Sequence, residues 1–180
     1  MKQFVLALAL LLFPVICNAA HQKEMKTLVA YFSATGTTEA VAKDLAEVAG
    51  ATLYEIKPEV KYTAADLNWR DKQSRSTLEM QDKSSRPAIV KDLKDADSYD
   101  VIYIGFPVWW YTAPTIINTF IEAYGFKGKT VILFATSGGS DVTGADKQFH
   151  EQYPDINWMS GKLLNGASKK TLQDWVESNR

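Results

Sequence analysis

The stretch Thr27-Leu28-Val29-Ala30-Tyr31-Phe32-Ser33-Ala34-Thr35-Gly36-Thr37-Thr38 changes character twice. Thr27 to Phe32 is a β-rich apolar run of the kind found in a strand buried on both faces. Ser33 to Thr37 is a polar turn. From Thr38 the period lengthens: Val41, Leu45, Val48 and Ala49 recur at helical spacing, and Gly50 is a natural stop. Strand, polar turn and helix in that order open a βα unit, and this reading sets the fold class for the rest of the chain.

Further along, Ala51 to Ile56 reads as a second strand closed by Pro58, Asp100 to Gly105 as a third, and Thr130 to Ala135 as a fourth. Between the third and fourth strands the sequence predicts a helix beginning at Thr112-Ala113-Pro114, with a hydroxyl to cap and a proline in the first turn. Ile116, Ile117, Phe120, Ile121 and Tyr124 give it one apolar face before Gly125. Asp155 to Met159 reads as a short edge strand. Leu172, Trp175 and Val176 mark a closing helix capped by Ser168. Alternating strands and helices imply an α/β domain, a mostly parallel sheet with helices on both faces. Lys57 to Pro87 breaks the pattern. It is rich in charge and Ser/Thr, weakly periodic, and holds Tyr62 and Trp69 as isolated large residues. It is too long for a plain connection, so residues 58–87 are expected to form a partly helical surface excursion overhanging the loops that carry the chemistry.

The first residues decide which part of the chain folds. Lys2, the unbroken apolar run Phe4 to Ile16, and Cys17-Asn18-Ala19 form a charge, grease and small-residue series. The run fits a secretory signal peptide and falls short of the ~20 residues of a spanning helix. Residues 1–19 are therefore read as a leader cut after Ala19, leaving 20–180 as one domain exported to the periplasm or beyond. Two alternatives remain at this stage: lipidation at Cys17, against which the bulky Ile16 argues, and a cytoplasmic start at Met25. The only cysteine is Cys17, so the mature chain has no disulfide, iron–sulfur ligand or thiol nucleophile. His21 and His150 lie in no metal-ligand spacing. With 20 Lys+Arg against 21 Asp+Glu, the charge balance argues against nucleic acid or an anionic membrane surface as a partner. No stable membrane insertion is expected once the leader is removed.

Three loops carry the candidate chemistry. Ser33-Ala34-Thr35-Gly36-Thr37-Thr38 packs four hydroxyls and a glycine at a helix N-terminus, where free N–H groups and the helix dipole favour an anion. It holds no Lys or Arg, so a bound phosphate would rest on oriented dipoles and hydroxyls. The dinucleotide fingerprint and the P-loop are both missing. An ordinary capping turn would carry the same hydroxyls. The second loop, Pro107-Val108-Trp109-Trp110-Tyr111, follows the third strand. Three consecutive aromatic rings cannot all enter the core from one short turn, so at least one is expected to border a cleft or solvent. Such rings suit a flat π-system at the carboxyl end of the sheet, or pack as core under the excursion. The third, Thr136-Ser137-Gly138-Gly139-Ser140, lets backbone approach a ligand edge, or is a flexible turn. Together the loops offer a phosphate end, a stacking wall and a polar edge at one end of one sheet.

These motifs resemble those of the flavodoxin-like family, especially its compact bacterial branch. Tyr31-Phe32-Ser33-Ala34-Thr35-Gly36-Thr37-Thr38 is similar to that family's FMN phosphate loop, Gly105 to Pro114 to its flavin-stacking loop, and Ala135 to Ser140 to its third flavin loop. The resemblance runs from about Lys26 to the C-terminal helix. It implies a three-layer sandwich with strand order 2-1-3-4-5 and a noncovalent FMN. It also implies a phosphate held by Ser33, Thr35, Gly36, Thr37 and Thr38, with Ala34 contributing backbone. Pro107 to Tyr111 would border the isoalloxazine, and Thr136 to Ser140 its pyrimidine side. Thr37 stands where many members have Asn, and the third loop lacks the aromatic that covers the second flavin face in many carriers.

The resemblance leaves three functions open. A flavin enzyme similar to the quinone reductases would pass electrons to a small acceptor. A carrier would serve a protein partner, although carriers of this family are strongly acidic and this chain is not. A binding module would keep the fold and hold another phosphate ligand. No side chain stands out as a general acid or base, as expected where a cofactor carries the chemistry.

Overall fold

The computed structural model describes residues 25–179. The leader read at residues 1–19 lies outside them. Five strands form one parallel sheet: β1 (Thr27–Tyr31), β2 (Thr52–Glu55), β3 (Val101–Pro107), β4 (Thr130–Thr136) and β5 (Asn157–Leu163), in the order β2-β1-β3-β4-β5. Five helices accompany them: α1 (Thr37–Ala49), α2 (Arg75–Gln81), α3 (Ile116–Tyr124), α4 (Thr143–Gln152) and α5 (Lys169–Ser178). None is long and apolar enough to cross a membrane.

Strand periodicity divides the core in two. Leu28, Ala30, Ile102, Ile104, Phe106, Val131 and Leu133 face one side of the sheet, where they pack with Ile116, Ile117, Phe120 and Ile121 of α3 and Ala145 and Phe149 of α4. Val29, Tyr31, Tyr103, Ile132 and Phe134 face the other side, against Val41, Ala42 and Leu45 of α1 and Leu172, Trp175 and Val176 of α5. Strands buried on both faces cannot alternate apolar with polar. This accounts for the continuous apolar runs from which they were legible.

Three elements differ from the sequence reading. The helix expected from Thr112 begins at Ile116; Pro114 disfavours helical backbone at Ala113, and the Thr112 hydroxyl donates to Gln148 Oε1 (2.8 Å). The closing strand is longer than Asp155 to Met159, with an irregularity in its pairing to β4 between Ile132 and Phe134. Helix α4 was not predicted. It buries only Ala145 and Phe149, and its N-cap makes no side-chain hydrogen bond. The Ser168 cap of α5 is present and accepts from the Thr171 N–H.

The excursion is partly helical: Ser74 caps α2 by accepting from the Thr77 N–H. Its two ends are tied down. Pro58 bridges to Ile89, and Arg86 forms a two-pronged pair with Glu122 of α3, Nε to Oε2 at 2.7 Å and Nη2 to Oε1 at 2.8 Å.

Candidate functional site

At the end of β1 the chain turns through Ser33, whose Oγ accepts from the Gly36 N–H (3.1 Å). Gly36 occupies the helix N-cap at φ 88°, a left-handed conformation that glycine adopts without a Cβ penalty. The Ala40 N–H is the first to return, to the Gly36 carbonyl (3.1 Å). The earlier amides of the first turn have no intrahelical acceptor. Thr35, Gly36 and Thr37 are exposed, whereas Ser33 and Ala34 are half-buried. The first turn carries the acid Glu39, paired with Lys43 at 2.6 Å. Behind it, the Tyr31 phenol is pushed up to about 12 by burial and then by Glu55 and Glu39. An anion at this loop is therefore served by dipoles and hydroxyls.

Thr38 belongs to the scaffold of this loop. It is buried, and its Oγ1 lies 2.8 Å from Oγ1 of Thr136 at the end of β4. Thr136 is also buried, and its carbonyl accepts from the Val108 N–H (2.8 Å). One residue thus fastens all three candidate loops to each other. The resemblance assigns Thr38 and Thr136 to the ligand, and the structure places their hydroxyls against one another.

The aromatic loop is a tight turn. Trp109 and Thr112 exchange backbone hydrogen bonds of 2.9 and 3.0 Å, with Trp110 at φ 44° and Tyr111 at φ 68° between them. Two positive φ values define the mirror-image turn that Asn and Gly ordinarily fill, so bulky aromatics here hold strained backbone. The rings divide as their crowding requires. Trp109 is half-buried, edge-on to Phe32 (centroids 5.7 Å) and to Tyr62 of the excursion (5.5 Å). Trp110 and Tyr111 are exposed, Tyr111 at 78%. Pro107 and Val108 are half-buried. Helix α4 braces the turn: a Cβ on Gly144 would stand 2.2 Å from the Tyr111 carbonyl oxygen.

In the third loop, Ser137 Oγ accepts from the N–H groups of Gly139 (3.1 Å) and Ser140 (2.8 Å). Asn165 holds the Ser137 backbone from both sides: its Oδ1 accepts from the Ser137 N–H, and its amide donates to the Ser137 carbonyl. Gly138 and Gly139 are exposed and Ser140 is half-buried. The sequence reading missed Asn165, Gly144 and Gln148. All three support the loops from distant elements and carry no local signal.

A cavity of about 460 Å³ opens on the β2 flank of the first loop, bordered by Phe32, Ser33, Ala34, Pro58, Tyr62 and Val90. The excursion therefore does reach the candidate site, and Tyr62 is the residue through which it touches the aromatic loop.

A family described as Flavodoxin matches residues 26–179. Two provisionally assigned flavoproteins are similar over 85% of this chain. One, from Bacteroides eggerthii, is 50% identical with 96% of its length covered and a TM-score of 0.83. The other, from Bacteroides uniformis, is 59% identical with 98% covered and a TM-score of 0.82. A flavoprotein from Lactobacillus acidophilus, solved in complex with FMN, is 28% identical over 77% of this chain and 93% of its own, with a TM-score of 0.65. NAD(P)H dehydrogenase (quinone) 1 of Cavia porcellus is 26% identical over 169 residues, which span 80% of this chain and 61% of that protein's length.

Proposed function

The chain belongs to the flavodoxin family, and from that premise we propose that it binds one FMN noncovalently where the three loops meet and passes electrons to a small quinone-type acceptor. The observation that carries this reading is the fastening of all three loops through Thr136, which joins the helix N-terminus, the aromatic turn and the glycine loop in one place. The residues fit a flavin. No atom lies within 4 Å of where a Cβ would stand on Gly36, Gly138 or Gly139, so open space faces the loop backbone where both the phosphate and the ring edge would approach. Ser33, Thr35 and Thr37, with the first amides of α1, would hold the phosphate. Trp109 and Trp110 would border the ring system, with Tyr111 beyond them. Amides of Ser137 to Ser140 would meet its polar edge. Once bound, the flavin would supply the electron transfer, and the protein's part is to position it and to set its surroundings.

Three features support a small acceptor. The third loop carries no aromatic residue, the chain lacks an acidic excess for steering a protein partner, and a quinone-reducing enzyme is among its relatives. Fluorescence titration of the purified mature protein with FMN tests the binding claim. Saturation at one flavin per chain with submicromolar affinity is expected, and no saturable binding would sink it. Stopped-flow reoxidation of the dithionite-reduced protein by a neutral quinone, across ionic strengths, tests the acceptor. Fast, salt-insensitive reoxidation is expected, and slow reoxidation would leave the carrier in its place. The leader pattern at residues 1–19 adds the proposal of export, with a mature chain beginning at Ala20. N-terminal sequencing from cell fractions decides this, and an intact Met1 or a start at Met25 refutes it.

A further inference from the structure

Tyr62 stood out in the sequence as an isolated large residue in a polar segment, and the flavin reading gives it no task. The structure gives it specific surroundings. Its ring centroid lies 5.5 Å from that of Trp109 in a T-shaped contact and 5.6 Å from Phe32. Its hydroxyl donates to Glu79 Oε2 at 2.6 Å, a short charge-assisted bond. Glu79 is only 13% exposed, and its other oxygen accepts from Arg75 Nε at 2.7 Å. The Arg75 guanidinium also lies over the Tyr62 ring, 4.0 Å from its centroid, and donates to the Val60 carbonyl. Among the described residues, the aromatic rings paired with Trp109 are Phe32 and Tyr62, and of these only the phenol is readily oxidised.

We propose that Tyr62 is an internal one-electron donor to Trp109, with Glu79 as the acceptor of its proton. When a one-electron oxidant, such as an inorganic radical, has oxidised Trp109, an electron passes from the Tyr62 phenol to the indole and restores it. The phenolic proton crosses to Glu79 Oε2, leaving a neutral carboxyl and a neutral tyrosyl radical. An indole radical that has already shed its N–H proton takes one from solvent as it is reduced. Arg75 makes the coupling compulsory. A guanidinium over the ring opposes any positive charge on Tyr62, so the electron leaves only as the proton does. Burial first, and then the Glu79 hydrogen bond, raise the phenol's pKa above its ordinary value. Tyr62 is therefore held as the neutral phenol until the electron is withdrawn. The excursion thus gives the residue expected to border the flavin an outlet that carries oxidising equivalents away from the three loops, towards the surface segment.

The test needs no flavin chemistry, so its failure leaves the FMN reading standing. Azidyl radicals generated by pulse radiolysis oxidise tryptophans of the purified protein, whether or not flavin is bound. Decay of the indolyl absorption is followed optically, and growth of the tyrosyl signal by freeze-quench electron paramagnetic resonance. The wild type should show a tyrosyl component that grows at a rate independent of protein concentration and is slower in heavy water. Tyr62→Phe, which keeps the ring, and Trp109→Phe should each remove that same component, and the double variant should remove no more. This separates it from any transfer between Tyr103 and Trp175, whose centroids are 5.4 Å apart. Glu79→Gln should slow the component by about tenfold or more, as expected for loss of a positioned proton acceptor, and should shrink its isotope effect. Equal tyrosyl yields in wild type and Tyr62→Phe would overturn the proposal. An unchanged rate in Glu79→Gln would overturn the role of the carboxylate.

Discussion

Thr38 and Thr136 show what a hydroxyl does when it is buried beside another. Each satisfies its partner 2.8 Å away, and truncating one strands the other where water does not reach. Thr38→Val should therefore cost about 1–3 kcal/mol, and Thr38→Val with Thr136→Val should recover much of the loss. Urea denaturation of the two single variants and the double variant gives the coupling energy. If the effects add independently, the hydroxyl pair is not what fastens the loops. At Gly36 the governing term is backbone conformation. A Cβ there would meet no atom within 4 Å, yet φ is 88°, and an L-residue in that region costs about 1–2 kcal/mol. The steric objection to a side chain would come from the bound phosphate. Gly36→Val should leave the protein folded but weaken FMN binding by at least about tenfold, the equivalent of 1.4 kcal/mol. Calorimetry that finds wild-type affinity would remove the phosphate assignment.

At the scale of the element, the turn from Trp109 to Thr112 and helix α4 form one unit. Gly144→Ala would gain up to about 0.5–1 kcal/mol from helix propensity elsewhere in a helix. Here the new Cβ would press on the Tyr111 carbonyl at 2.2 Å, and such overpacking costs about 1–3 kcal/mol. The clash involves backbone on both sides, so it should win. Both the thermal midpoint and FMN affinity are expected to fall, and a rise in the midpoint would show that α4 does not brace the turn. The strained aromatics give the opposite sign. Replacing Trp110-Tyr111 with Asn-Gly fits the two positive φ values and should relieve about 1–3 kcal/mol of strain at each position. Tyr111, 78% exposed, contributes little burial to set against this, and Trp110, 42% exposed, offsets only part of the relief. The variant should resist urea better and bind FMN more weakly, the pattern expected when strain is kept for function. Greater stability with unchanged affinity would make the rings irrelevant to the ligand.

Over the whole molecule, the excursion is the one large departure from a plain alternation of strands and helices, and its anchoring sets how the β2 side of the site is covered. Glu122 holds the far end. Its pKa is lowered, chiefly by the Arg86 hydrogen bonds and also by the Tyr153 hydroxyl, which donates to Oε1 at 2.8 Å. For a carboxylate with a depressed folded pKa, the stabilisation is complete above the unfolded value near 4.3. It is lost as pH falls below that value and through the folded one. The pair is partly exposed, with 28% and 41% of the two side chains accessible, so its effect is local and weakened by salt. Hydrogen exchange in residues 83–88 should accelerate as pH drops below about 4.3 relative to β3, and Glu122→Gln should show the faster exchange at neutral pH as well. Exchange that follows the intrinsic pH dependence alone would mean that Arg86 and Glu122 do not hold the segment.

What the sequence determined by itself is the layered α/β frame and the location of the three loops. Strands buried on two faces must be written as continuous apolar runs. Two of the turns at the carboxyl end are rich in Gly, Ser and Thr and the third carries three consecutive aromatics, and all of these signals are local. The tertiary structure alone decided which hydroxyls face outward and which face each other. Thr37 and Thr38 are neighbours of the same type, yet one is exposed and the other is buried against Thr136, 98 positions away. It also decided that α4 forms where only Ala145 and Phe149 are buried, because a helix laid over an existing core needs few apolar residues of its own. Likewise Tyr62, isolated in a polar segment, meets Glu79 only when the excursion closes on itself and Trp109 only when it reaches the loop that follows β3. Contacts between elements distant in sequence leave no period and no motif, since each partner is chosen by shape and hydrogen bonding across space.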